Sequence, residues 1–198
     1  MKRIIIGITG ASGAIYGIRL LEVLKEQNIE THLVLTETAK KIILLETALT
    51  TENVEGMAHK VYNNSDLLAP ISSGSFKTDG MIIAPCTMRT LSGVAHSYGE
   101  NLLIRAADVT LKERRSLILV VRETPLHKGH LELMNKVADL GAIILPPIPA
   151  FYHSPRSIEE MVDHTIGKIL DFMKIDHSLY KPWDGLGNKK VRDPKRNP

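Results

Sequence analysis

A single cysteine, Cys86, among 198 residues rules out an intramolecular disulfide and fits a reducing compartment. The sequence has no run of about eighteen apolar residues, which excludes a membrane-spanning helix. Its opening residues show no charged segment followed by a sufficient apolar stretch, so a cytoplasmic location is expected rather than export. Aromatic residues make up 5% of the chain and the formal charge is only +3. Much of the basic excess lies in Lys189-Lys190-Val191-Arg192-Asp193-Pro194-Lys195-Arg196. No aromatic side chains are interleaved there for base stacking, so the stretch reads as a solvated tail and not a nucleic-acid arm. Neither nucleic acid nor a membrane is expected among the partners.

With 43% hydrophobic and 24% charged residues, the composition is that of an ordinary globular protein, and the length suits one domain. That domain is expected over residues 1–175, with a tail over 176–198 that includes Trp183. The stretch Arg3-Ile4-Ile5-Ile6-Gly7-Ile8 reads as a strand covered on both faces, as in a parallel sheet. It runs into the turn Thr9-Gly10-Ala11-Ser12-Gly13 and then an amphipathic helix. A helix start presents unpaired N–H groups and the positive end of the peptide dipoles, and glycines let a phosphate approach the main chain. Gly7, Gly10 and Gly13 follow a loose G-x-x-G-x-x-G rather than the dinucleotide fingerprint, so a turn shaped for geometry alone remains open.

Further strands are expected at Glu30 to Leu35, Gly80 to Ala84 (ended by Pro85), Ser116 to Val121 and Ala142 to Leu145. Helices are expected at Glu37 to Ala48, Val54 to Val61, Met88 to His96, Asn101 to Arg114, Gly129 to Leu140 and Ser157 to Met173. Asn63 to Thr78 reads as irregular loop, and Pro146, Pro147 and Pro149 impose an extended segment. The alternation predicts an α/β fold: a doubly wound, mostly parallel sheet in a Rossmann- or flavodoxin-like three-layer sandwich, a single domain with ligands at the C-terminal strand ends.

The residues just past those strands are Ser12, Thr36, Cys86-Thr87-Met88-Arg89-Thr90 and Arg122-Glu123-Thr124-Pro125. Hydroxyls at Thr87 and Thr90 and the guanidinium of Arg122 suit a mononucleotide cradle, although Thr87 serves equally as a helix N-cap. No Tyr-x-x-x-Lys is present, which weakens a nicotinamide reading. His127-Lys128-Gly129-His130 lacks a third partner and reads as loop and helix start, so no metal is expected. Cys86 reads as a buried small residue, not a nucleophile.

Taken together, these motifs resemble those of the UbiX-like flavin prenyltransferases, a family that includes the small subunit associated with phenolic acid decarboxylases. The resemblance rests on Gly7-Ile8-Thr9-Gly10-Ala11-Ser12-Gly13, Ile71-Ser72-Ser73-Gly74-Ser75-Phe76, Pro85-Cys86-Thr87-Met88-Arg89-Thr90-Leu91, Arg105-Ala106-Ala107-Asp108-Val109, Leu111-Lys112-Glu113-Arg114, Arg122-Glu123-Thr124-Pro125-Leu126 and Pro149-Ala150-Phe151-Tyr152-His153. It implies that residues 1–175 bind flavin. It also implies metal-independent transfer of a dimethylallyl group from dimethylallyl monophosphate to N5 and C6 of reduced FMN. The product, prenylated FMN, would serve a separate UbiD-like decarboxylase.

By the same resemblance, Gly10, Ala11, Ser12, Thr36, Thr87, Met88, Arg89, Thr90 and Arg122 match FMN-contacting positions. Arg105, Lys112, Tyr152 and Lys168 match positions that hold the prenyl phosphate, some from a neighbouring subunit of a homo-dodecamer. Glu46 and Glu123 match carboxylates near the reacting centre, with Ser12 orienting Glu123 or the flavin, and Trp183 matches an aromatic residue near the site. Thr36 stands where close relatives have Ser and keeps the hydroxyl; Lys168 stands where Arg is frequent and keeps the charge without the bidentate fork. Two alternatives are a flavin-dependent cysteine decarboxylase of similar fold, with a different asparagine-bearing flavin loop, and a non-catalytic FMN carrier.

Overall fold

The computed structural model describes residues 2–183 and residue 185. Its elements are β1 (Arg3–Ile8), α1 (Ala14–Glu26), β2 (Glu30–Leu35), α2 (Glu37–Glu46), α3 (Thr51–Glu55), β3 (Lys60–Asn63), a 3₁₀ turn (Pro70–Ser72), β4 (Gly80–Cys86), α4 (Met88–Ala95), α5 (Leu102–Lys112), β5 (Ser116–Val121), α6 (Lys128–Asp139), β6 (Ile143–Ile144) and α7 (Ile158–Phe172). The strands form one all-parallel sheet in the order β3-β2-β1-β4-β5-β6. This is a single-domain, flavodoxin-like α/β fold. The winding reverses between β1 and β4, and the crevice outside their C-terminal ends is where such sheets place ligands.

Period-two alternation divides β1 between two cores. Ile4, Ile6 and Ile8 join α1 and α7 residues such as Leu20, Leu21, Ile166 and Ile169 on one face. Ile5 joins Leu91, Leu103, Ala106 and Val137, from α4, α5 and α6, on the other. The sheet therefore stands between two helical layers, which explains why β1, β4 and β5 read as continuous apolar runs. Among the described residues, no helix is long and apolar enough to cross a membrane.

Three expectations need correction. The helix expected over Val54 to Val61 ends at Glu55, and Lys60–Asn63 is an edge strand instead. Pairing to the free edge of β2 decides this, reinforced by the 2.9 Å hydrogen bond between Tyr62 Oη and His32 Nδ1. Strand β4 continues through Pro85 to Cys86 and does not stop before it. The register with β5 shifts between Ile83 and Cys86, where the missing proline N–H does not interrupt the ladder. Finally, β6 shrinks to Ile143–Ile144, although Leu145 N still donates to Leu119 O at 2.9 Å. Residues 184 and 186–198 of the expected tail, including the basic run, lie outside the described residues.

Candidate active site

The local chain chemistry at the switch point creates two helix starts with spare donors. Thr36 caps α2, its Oγ1 accepting from Ala39 N at 3.1 Å, and Thr87 caps α4, its Oγ1 accepting from Thr90 N at 3.2 Å. Each cap takes up the third N–H of its helix. The first two N–H groups, of Glu37 and Thr38 in α2 and of Met88 and Arg89 in α4, have no hydrogen-bond acceptor among the described residues. At α5, by contrast, the backbone carbonyl and Oδ1 of Asn64 take Leu102 N and Leu103 N at 2.8 and 3.0 Å, and Asn101 takes Ile104 N at 3.0 Å. That helix start is already satisfied.

Around these termini lies a cavity of about 310 Å³ bordered by Thr9, Gly10, Thr36, Thr87, Thr90 and Asn101. Thr9 ties its floor together: Oγ1 donates to Pro85 O at 2.7 Å and accepts from Thr87 N at 2.9 Å. Gly10 keeps the cavity open, because a Cβ there would stand 2.4 Å from Thr38 Cγ2. Arg89 reaches over the rim, paired to Glu100 at 3.1 Å. Two helix dipoles, open N–H groups, hydroxyls and an arginine are groups that could hold an anion, beside the carboxylates of Glu37 and Glu100, which also line the cavity.

On the other side of the glycine turn lies a cleft of about 420 Å³ lined by Ser12, Tyr16, Glu46, Arg122, Pro147 and Ile158, among others. Gly13, at φ 100°, is left-handed, and this aims its N–H and that of Ala14 at one acceptor. The acceptor is Glu46 Oε2, at 2.8 and 3.1 Å. The helix start that the sequence offered to a phosphate is thus occupied by the protein's own carboxylate. Burial pushes the Glu46 carboxyl up, but the Ser12 hydroxyl, the two N–H groups and the charge of Arg122 outweigh it and leave it below the ordinary value. Arg122 follows β5, its backbone N–H bound to Cys86 O at 3.1 Å, and Glu123 beside it accepts from Thr124 N at 3.0 Å. Burial pushes the Cys86 thiol up to about 12, which suits packing and not nucleophilic attack.

The expected site residues therefore fall into groups. Gly10, Thr36, Thr87, Arg89 and Thr90 line the first cavity; Ser12, Glu46 and Arg122 line the second. Ala11 is buried in the turn between them, Met88 packs against the core, and Glu123 is exposed beside Arg122. Tyr152 and Trp183 meet edge to face at 5.6 Å, and Tyr152 Oη lies 2.9 Å from His164 Nε2 on α7. Lys168 on the same helix pairs with Asp171 at 3.0 Å and Tyr180 Oη at 3.3 Å. Val162 of α7 also lines the second cleft.

Arg105 and Lys112 do not join them. They belong to α5, on the opposite face of the sheet, where Arg105 binds Ser72 O at 3.2 Å and Asp108 at 2.9 Å, and Lys112 pairs with Glu113 beside Gly74. Residues that the sequence reading did not single out include Thr9, Asn64, Asn101 and His164. An asparagine directly before a helix was the available signal for Asn101; His164 gave none.

Comparison with known proteins agrees with this architecture. The Flavoprotein family matches residues 1–181. Flavin prenyltransferase UbiX of Escherichia coli strain K12 is 52% identical over 188 residues, covering 93% of this chain and 100% of that protein. The crystal structure of AnUbiX in complex with FMN and dimethylallyl pyrophosphate superposes with a TM-score of 0.92 at 46% identity, over 93% of this chain and 98% of that one. A dodecameric FMN-dependent UbiX-like decarboxylase from Escherichia coli O157:H7 gives 0.91 at 45% identity, over 92% and 100%. The peptidyl-cysteine decarboxylase EpiD, at 13% identity, shares the fold alone. The chain belongs to the UbiX family of flavin prenyltransferases.

Proposed function

We propose that this protein, in the cytoplasm, transfers a dimethylallyl group from dimethylallyl monophosphate to N5 and C6 of reduced FMN. The prenylated FMN would then pass to a UbiD-like decarboxylase. The observation that carries the reading is the pair of cavities flanking the Gly10–Gly13 turn, one furnished for an anion and the other lined by a carboxylate and a guanidinium beside apolar walls.

The residues present fit FMN: the open N–H groups of α2 and α4 and the hydroxyls of Thr36, Thr87 and Thr90 suit its phosphate, with Gly10 and Ala11 letting it lie close to the main chain. Met88 and Arg89 would border the bound molecule on the α4 side. When bound and reduced, the flavin supplies the nucleophilic nitrogen and ring carbon. Arg122 would hold the flavin toward Ser12 and Glu46, and Ile15, Pro147, Ile158 and Val162 offer an apolar wall to a five-carbon chain.

Departure of phosphate from an allylic carbon is helped by groups that stabilise its developing charge of about −1.5 to −2. Lys168 and Tyr152 supply a cation and a hydroxyl from α7 and the segment before it, and Trp183 covers Tyr152. Arg105 and Lys112 would be contributed by a neighbouring subunit, since within one chain they face the other side of the sheet. This reading favours an assembly with sites at subunit junctions, a dodecamer by family resemblance. Ring closure requires proton movement, which Glu123 would carry, with Glu46 kept ionised by its three donors.

The test is anaerobic incubation with reduced FMN and dimethylallyl monophosphate, followed by mass spectrometry of the released flavin. A gain of one five-carbon prenyl unit is expected. Unmodified flavin with binding demonstrated would leave an FMN carrier instead.

A further inference from the structure

Tyr152 stands on the extended segment before α7, and its hydroxyl is fixed by one neighbour that the chemistry above does not use. His164 Nε2 lies 2.9 Å from Tyr152 Oη, and the imidazole is only 9% exposed. The ring cannot easily turn. It stacks on His153 with centroids 4.9 Å apart and planes 4° from parallel, and packs against Tyr180 at 4.7 Å. Tyr152 itself is held edge-on by Trp183 and, at 5.4 Å, by His153. Burial, with His153 and Lys168 nearby, lowers the His164 pKa below its ordinary value against the opposing charge of Asp171, which favours the neutral ring.

A neutral imidazole can either donate to or accept from the tyrosine through Nε2, and the two tautomers have opposite consequences. If Nε2 accepts, the phenolic hydrogen is spent on the histidine and Tyr152 has no donor left for an anion. If Nε2–H donates, the phenolic oxygen is satisfied and its hydrogen is free to point outward.

The geometry points to His164 as a positioning residue for the prenyl donor: its Nε2–H donates to Tyr152 Oη and thereby directs the tyrosine hydroxyl hydrogen toward a phosphate oxygen. The inference rests on the proposal that Tyr152 binds that phosphate. His164 touches neither substrate and acts through Tyr152 alone.

The experiment measures KM and kcat for dimethylallyl monophosphate, FMN affinity and thermal stability in His164→Leu, His164→Gln, His164→Asn, Tyr152→Phe and the Tyr152→Phe/His164→Leu double variant. Leu removes the donor at similar bulk, Gln places an amide N–H near the position of Nε2, and Asn places it near Nδ1. Loss of one buried, directing hydrogen bond should raise KM about tenfold in His164→Leu and His164→Asn, with FMN affinity unchanged. His164→Gln should return KM to within about twofold of the parent. In the Tyr152→Phe background, His164→Leu should have no further effect.

If Tyr152→Phe raises KM while His164→Leu does not, or if the two effects add, the inference fails and the reading of Tyr152 stands. An unchanged KM in Tyr152→Phe overturns both. Should the leucine variant fold poorly, the Gln and Asn variants decide the matter: equal KM values in the two contradict a donor at Nε2.

Discussion

The two cavities on either side of the Gly10–Gly13 turn are built by different means. The first is made from helix starts that are capped by their own neighbours in sequence, so its open N–H groups are present in a single folded chain. The second joins residues far apart in sequence, such as Glu46 and the N–H of Gly13, and the cations proposed for its phosphate are divided between the two faces of the sheet. In the first, the donors that an anion would use follow from local backbone geometry. In the second, charges are brought in by tertiary packing and, under the proposed function, by another subunit. Flavin binding should therefore survive changes that disable prenyl transfer.

The strongest break in that comparison is Glu123→Gln. Single-turnover ring closure should slow by a factor on the order of 10²–10⁴ with FMN affinity intact; rapid quench with mass detection measures it. Gly10→Ala does the reverse. Its Cβ would stand 2.4 Å from Thr38 Cγ2, and the displacement should weaken FMN binding about 10- to 100-fold, as expected for overpacking; flavin titration reads this directly.

Lys168→Ala should raise KM for dimethylallyl monophosphate about fivefold without altering FMN affinity, since an accessible charge contributes modestly. The smallest effect lies at the opposite end of the strands. The Glu30 carboxyl is held at about 2 by hydrogen bonds from Arg3 and His32, which outweigh its burial. A folded pKa below the ordinary 4.5 means its contribution is present above pH 4.5 and lost as pH falls toward about 2. Glu30→Gln should lower Tm by about 2–4 °C at neutral pH, with the difference shrinking through that acidic window and FMN affinity unchanged.

The same division governs what the sequence could reveal. Arg3–Ile8 and Ser116–Val121 were legible because both faces of each strand are covered and the apolar run is nearly continuous, and Glu30–Leu35 was legible through its apolar second half, Leu33-Val34-Leu35. Thr36 and Thr87 were legible because capping is a short-range relation. Strand β3 was not, since its four residues are half exposed and become a strand only by pairing with β2. Nor was the capture of Gly13 and Ala14 by Glu46, a contact spanning 33 positions that fills the helix start expected to hold phosphate. His164 has the spacing of an ordinary polar residue in α7, and only the packing of His153 and Tyr180 around it reveals its connection to Tyr152.

The most direct test of this account is a crystal structure with FMN bound. The flavin phosphate should lie among Thr36, Thr87 and Thr90 and accept from the first N–H groups of α2 and α4, with Glu46 still bound to Gly13 and Ala14. A phosphate seated on Gly13 and Ala14, with Glu46 displaced, would contradict it.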